Sequence, residues 1–341
     1  MGVFLLIGCG HEGPNPEVAW TVTTFRPPPW QWGCSMAPPV VRDGVAYFGR
    51  VAGAPGHSHL YAVRASNGEV LWQRYFDPPL YGGIFVAPTR LLVEADDTLF
   101  ALDRRDGRVI WRQPELGPIH VEEEGVVYAT GRGNSVVALE GATGALRWRV
   151  AFGTPVDGLT PHRGMLYVTT GGTLLAVAAE TGAIDGETVP VREVIMATST
   201  DSSLLVTVHP KEPTTLQWHG QTGHLDSLGG RLIGVQPDAW IFSRGSETFA
   251  LHPGGRGLLW STAALPTARF GGGVFAGGLM FQADYITGKV RIVRAYDQHT
   301  GAVRWVLRTG GMVYAPVLSG DYVLVASEDC RVVAVPTGAP R

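Results

Sequence analysis

Lysine is almost missing from this 341-residue chain, with Lys211 and Lys289 its only two examples. Charged residues of all kinds make up 17% of it, and the formal net charge is −3. No basic stripe interleaved with aromatic residues occurs, which argues against nucleic acid as a partner. No apolar run is long enough to cross a membrane as a helix, and no long helical pattern is found. The three cysteines, Cys9, Cys34 and Cys330, are far apart in sequence. No group of Asp, Asn and Glu reaches the oxygen density of a calcium loop, and no spacing pairs a nucleophile with a base. Spacing alone therefore supplies no catalytic residue, no cofactor-binding residue and no metal site.

What is present is a repeated phrase. It reads Leu60-Tyr-Ala-Val-Arg-Ala-Ser-Asn-Gly68-Glu-Val-Leu-Trp72, then Leu99-Phe-Ala-Leu-Asp-Arg-Arg-Asp-Gly107-Arg-Val-Ile-Trp111, then Val136-Val-Ala-Leu-Glu-Gly-Ala-Thr-Gly144-Ala-Leu-Arg-Trp148. Later copies run over 174–186, 215–227, 248–260 and 293–305. The register is marked by Ala62, Ala101, Ala138, Ala176, Gln217, Ala250, Ala295 and Ala334, which gives eight copies. A repeat of about 40 residues is one supersecondary unit that buries its apolar surface against its neighbours.

Each phrase reads as strand, tight turn, strand, with the turn glycine able to take the positive φ of a hairpin. In the fifth copy the turn is placed at Gln221-Thr-Gly223, and in the sixth Arg256 replaces the glycine. A β-rich run such as Val126-Val-Tyr-Ala129 precedes each phrase. Ala37-Pro38, Ala87-Pro88 and Ala315-Pro316 are read as the starts of innermost strands. Four short strands per repeat make a propeller blade, so the expected fold is all-β, an eight-bladed propeller. The eighth copy stops after Arg331-Val-Val-Ala334-Val, and Asn15-Pro-Glu-Val-Ala-Trp20 supplies the missing phrase from the other end. The N-terminal strand is thus expected to complete the last blade and remove the open edge. The repeat tryptophans Trp20, Trp72, Trp111, Trp148, Trp260 and Trp305 are expected to pack between blades. Gly186 and Ser227 replace them in the fourth and fifth copies, where the least regular arc is expected.

The phrase Ala-Leu-Asp-x-x-x-Gly-x-x-x-Trp resembles the repeat of the PQQ-type β-propellers, over about residues 15–338. Within that superfamily, size, copy number and a lipoprotein-like start resemble BamB, the scaffold lipoprotein family of outer-membrane barrel assembly. The resemblance implies a non-catalytic extracytoplasmic scaffold with a barrel-assembly protein as partner. It implies cell-envelope or periplasmic localisation, no cofactor and a monomer. Two rivals stay open: a ligand-binding or sensory propeller using the axial funnel, and a PQQ-dependent dehydrogenase. Enzymes of the superfamily place two adjacent cysteines above the quinone and hold Ca²⁺ with Glu, Asn and Asp, a set not matched here.

Met1-Gly-Val-Phe-Leu-Leu-Ile-Gly-Cys9 resembles the end of a lipoprotein signal, so residues 1–9 read as a signal remnant, Cys9 as a lipid attachment and 10–341 as one propeller domain. The apolar run is short and lacks the usual positive residues. Cys34 and Cys330 are expected as two free thiols. A closing disulfide between them is the alternative in an oxidising compartment. His57-Ser-His59 has metal-like spacing, yet the default is an exposed hairpin tip. Glu122-Glu123-Glu124 reads as a solvated turn. His120, Met36, Met196, Phe270 and Met312 stand where they could line a funnel, and apolar packing near the axis explains them equally well. Longer loops around 51–59 and 283–289 favour selective recognition.

Overall fold

The computed structural model describes residues 14–24, 36, 38–49, 58–77, 80, 83–162, 164–190, 193–199, 202–208, 214–218, 221–225, 231–235, 240–244, 247–252, 258–262, 274–286 and 289–338. Among them every regular element is a strand, and the strands form eight antiparallel four-stranded sheets. The first sheet is Val40–Arg42, Val45–Gly49, Ser58–Arg64 and Val70–Phe76. The second is Phe85–Val86, Arg90–Ala95, Thr98–Asp103 and Val109–Pro114. The third is Leu116–Glu123, Val126–Gly131, Ser135–Glu140 and Leu146–Ala151. The next four span 156–190, 193–225, 231–262 and 274–308.

In the second and fourth sheets a two-residue turn joins the second to the third strand. Asp96 and Asp97 both have positive φ (49° and 53°), as do Gly171 and Gly172, the mirror-image geometry that matches strand twist. The middle strands are buried on both faces, which explains their continuous apolar runs. Leu91 and Val93 pack toward the first sheet, whereas Leu92 packs toward the third. Such clusters link sheets six, seven, eight, one, two, three and four in succession.

The contact that joins neighbours is made by the repeat tryptophan. Ala62 faces Trp72 across the ladder, and a bulge follows before Val63 meets Val70. The same bulge follows Ala101, Ala138, Ala250 and Ala295. A bulge re-aims the side chain beside it, and here the indole meets the next sheet's outer turn. Its N–H donates to the carbonyl of Ala65 (from Trp20), Arg104 (from Trp72), Gly141 (from Trp111) and Ala179 (from Trp148), at 2.8–3.0 Å. The turn glycine lies against the ring. A Cβ on Gly144, whose φ is +74°, would stand 2.8 Å from Trp111. Only glycine meets both the space and the backbone angle there.

Where the tryptophan is absent, the ladder changes. In the fourth sheet Ala176 faces Asp185, and the register shifts by Leu174. In the fifth, Trp218 faces Gln221. Gln221-Thr-Gly223 therefore lies inside an outer strand and is not the turn expected there, because no indole at position 227 holds a longer turn in place. Ala87-Pro88 also departs from expectation. It follows the innermost strand Phe85–Val86, since proline has no N–H for a ladder and suits the turn.

The eighth sheet combines Val317–Ser319, Tyr322–Ser327 and Arg331–Pro336 with the N-terminal strand Trp20–Thr23. Trp20 faces Ala334, and Thr24 donates both its N–H and its hydroxyl to the Cys330 carbonyl. The expected closure of the last sheet by the first strand is what the pairing shows. The expectation of free thiols fails at Cys330, which is disulfide-bonded to a cysteine outside the described residues. Cys330 sits in a turn with φ +66°, which costs a non-glycine residue about 1–2 kcal/mol. Its bond explains why cysteine occupies a place that suits glycine or asparagine. Reduction should lower the unfolding free energy by about 2–4 kcal/mol, read by urea titration with and without a phosphine reductant. An unchanged midpoint would show that this bond does not support the closure.

Trp305 differs from its counterparts. The outer turn of the eighth sheet is split between the two ends of the ladder, and the buried Trp305 indole N–H has no acceptor among the described residues. Trp111→Phe should therefore destabilise the protein by about 1 kcal/mol more than Trp305→Phe, because only the first breaks a hydrogen bond. Equal costs in denaturant titrations would contradict this assignment.

Candidate functional site

Because the strands alternate in direction, the inner-to-second and third-to-outer turns of every sheet share one end of the molecule. That end carries a series of ion pairs within its outer turns. Asp297 closes the third strand of the seventh sheet and accepts from the N–H groups of His299 (3.0 Å) and Thr300 (2.9 Å) and from Arg304 (2.6 Å). Arg304 is the largest cause of its pKa falling to about 2. At other outer turns Arg64 pairs with Glu69 and Arg147 with Glu140.

The junctions between sheets at this end are filled in different ways. Between sheets one and two, Arg104 lies across the seam. It donates to the Tyr47 hydroxyl (3.1 Å), the Asp43 carboxylate (2.9 Å), the Pro88 carbonyl (2.6 Å) and the Arg42 carbonyl (3.3 Å). Its guanidinium stands 5.7 Å from the centre of the Tyr47 ring, within cation–π range. Burial opposes its charge, but Tyr47 and Asp43 outweigh that and raise its pKa.

Between sheets two and three the filler is Arg90, 3.5 Å from Glu122, with side chains only 12% and 4% exposed. Glu122 is thus not part of a solvated turn, unlike the exposed Glu124. Burial pushes its pKa up, and Arg90 and Arg42 only partly oppose this. Between sheets three and four, the Tyr128 hydroxyl donates to the Ala179 carbonyl.

Between sheets eight and one the same place is open. A groove of about 770 Å³ is lined by Arg42, Asp43, Arg64, Leu71, Asp321 and Tyr322, among others. Trp20 donates to Ala65 as Trp72 donates to Arg104, so Ala65 occupies the Arg104 position. Tyr47, Leu92 and Leu324 face Ala62, Ala101 and Ala334 respectively. Leu324 therefore replaces Tyr47, and Tyr322 stands at the place of Arg90. The seam lacks both the guanidinium and the hydroxyl that fill its neighbour. No motif in the sequence marks this groove: aligned on the repeat alanines, the position reads Ala65, Arg104, Gly141 and Ala179 in the first four copies, and arginine is the exception.

The sequence-derived candidates fall elsewhere. Cys9, Cys34, His57 and Phe270 lie outside the described residues. His59 is half-buried in the first sheet, 5.4 Å from the Tyr75 ring and 6.1 Å from the Tyr61 ring. Met36 is not at a funnel wall: it is 2% exposed inside the cluster between sheets eight and one, and its N–H donates to Tyr314. Met312 is exposed. His120 and Met196 are in innermost strands. The expected loop over 283–289 is instead a long hairpin, Leu279–Ile286 with Lys289–Asp297, in which Ala283 is buried. Its extra length extends the ladder of the seventh sheet. Among the described residues no three His, Cys, Asp or Glu side chains stand where they could hold a metal ion, and no helix is long and apolar enough to cross a membrane.

The Asp297 cluster makes a measurable prediction. Its depressed pKa means that its contribution to stability is complete above the ordinary value of 3.8 and is lost as pH falls through about 2. Asp297→Asn should flatten that part of the stability–pH curve between pH 4 and 2. An unaltered slope would remove the Arg304 pairing as its cause.

Serine/threonine-protein kinase AfsK of Streptomyces coelicolor is 35% identical over 104 residues, 28% of this chain. The match spans only 13% of that kinase. The BamB crystal structure from Moraxella catarrhalis aligns over 93% of this chain and 96% of its own, at TM-score 0.65 and 15% identity. Quinohemoprotein alcohol dehydrogenase ADHIIG from Pseudomonas putida HK5 aligns over 96% of this chain and 77% of its own, at TM-score 0.66 and 15% identity. Both likenesses concern the fold, which is that of a PQQ-like β-propeller. The model of the family described as outer membrane protein assembly factor BamB matches residues 14–119 and 99–248, most of the chain, and the protein belongs to that family.

Proposed function

We propose that this protein is a non-catalytic extracytoplasmic scaffold, an eight-bladed propeller that docks a protein of the outer-membrane assembly machinery. The match to the assembly-factor family across residues 14–248 carries this reading. The structure supports it physically. Indole contacts hold sheets eight, one, two, three and four in series and six to seven, and the last sheet is closed by the first strand, which fixes the turns of those sheets relative to one another. Rigid turns keep low the conformational entropy that docking must offset. The disulfide at Cys330 agrees with an oxidising, extracytoplasmic compartment, where an anchor on Cys9 would hold the protein at a membrane.

The fold likeness to a quinohemoprotein dehydrogenase keeps one second reading, an enzyme using PQQ. The donor set described above does not fit that group: the three cysteines are separate in sequence, and the described residues bring no metal-ligand cluster together.

Mild crosslinking in native membranes, then purification through a tag and mass spectrometry, tests the scaffold reading. Recovery of an outer-membrane barrel-assembly protein is expected. Recovery of the chain alone, together with dye-linked alcohol oxidation after addition of PQQ and Ca²⁺, would replace it with the enzyme reading.

A further inference from the structure

We propose that the groove between sheets eight and one is a receptor for an arginine side chain of a protein partner, which enters where Arg104 lies in the next seam. The chain itself shows what that position accepts. At the seam of sheets one and two, a guanidinium rests near a tyrosine ring and binds a turn carboxylate and turn carbonyls. At the seam of sheets eight and one the backbone is held in the same way, because Trp20 grips the Ala65 carbonyl as Trp72 grips that of Arg104. The side chain at this position is now a methyl group. Tyr322 supplies an aromatic lining residue, and Ser319 and Asp321 are in the turn that corresponds to Arg42, Asp43 and Gly44.

The charges of the groove select the sign of the occupant. Arg64 is paired with Glu69, and Arg42 donates to the Val86 carbonyl while lying 3.8 Å from Asp43. Asp43 already holds Arg104. Asp321 is exposed and makes no ion pair among the described residues, so it is the lining carboxylate placed to meet an incoming cation, whereas Asp43 is shared by Arg42 and Arg104. A planar cation with several donors uses a carboxylate, carbonyls and an aromatic ring together, which an ammonium group does less well. The arginine would come from a partner because, among the described residues, no arginine of this chain takes the Arg104-like place at this seam: Arg42 and Arg64 line the groove but are engaged by Val86, Asp43 and Glu69. In that respect the proposal rests on the scaffold reading, but the preference of the groove is a property of the isolated protein.

The test uses the full chain and a short blocked peptide with one central arginine, beside its citrulline and lysine counterparts. NMR follows the Trp20 indole N–H, which donates directly beneath Ala65. A saturable shift is expected with the arginine peptide, and the citrulline peptide should bind about tenfold more weakly or worse, the loss of one charge-assisted bond. Ala65→Arg builds the missing filler into the chain and should abolish the shift. Asp321→Asn, an exposed change with little risk to folding, should weaken binding several-fold. Unmoved indole signals of Trp111 and Trp148 report that each variant is folded. Equal binding of citrulline and arginine peptides, or full binding by folded Ala65→Arg, would overturn the proposal. Neither result bears on co-purification with an assembly protein, so the two readings can fail separately.

Discussion

The structure depends on an indole lying beneath a glycine turn of the next sheet. That contact combines burial of an aromatic ring worth roughly 150–250 Å² with a hydrogen bond to a turn carbonyl and a glycine that no other residue replaces without a clash. It joins sheet eight to one, one to two, two to three, three to four and six to seven in the same way. It also explains the rest of the phrase: the alanine opposite the indole leaves room for it, and the bulge beside the alanine points it outward. In the fourth and fifth sheets, where Gly186 and Ser227 replace it, the ladders lose their common register.

A chain of repeats must also solve the problem of its ends. Here the first strand pairs with the last ladder, Thr24 caps the Cys330 carbonyl, and Cys330 carries a disulfide. The solution leaves two marks. Trp305 has no acceptor among the described residues, because the outer turn that would supply it is divided between the chain's two ends. The seam of sheets eight and one also keeps a groove that arginine or tyrosine fills at the neighbouring seams. Closure by sequence-distant segments is therefore one of the places where the repeat departs from itself, beside the fourth and fifth sheets.

The buried Arg90–Glu122 pair shows a different use of charge. Both groups are removed from water, and several of their polar atoms have no hydrogen-bond partner. Such a pair adds little net stability. Its plain effect is geometric, since it occupies the space above Gly141 and fixes the relative position of two turns.

The repeat phrase, the all-β class, the four-stranded unit and the pairing of Trp20 with the last ladder were all legible in the sequence. They depend on local periodicity and on turn glycines whose φ the motif imposes. Other features depended on which turns the fold brings together. Glu122 looked solvated until Arg90, 32 residues away, closed over it, and Met36 looked axial until it packed with the last sheet. The turn of the fifth copy followed its ladder and not its Gln-Thr-Gly motif. The groove at the seam belongs to this second kind. A missing side chain leaves no positive signal in a linear sequence, and only packing shows that Ala65 stands where a neighbouring sheet places an arginine.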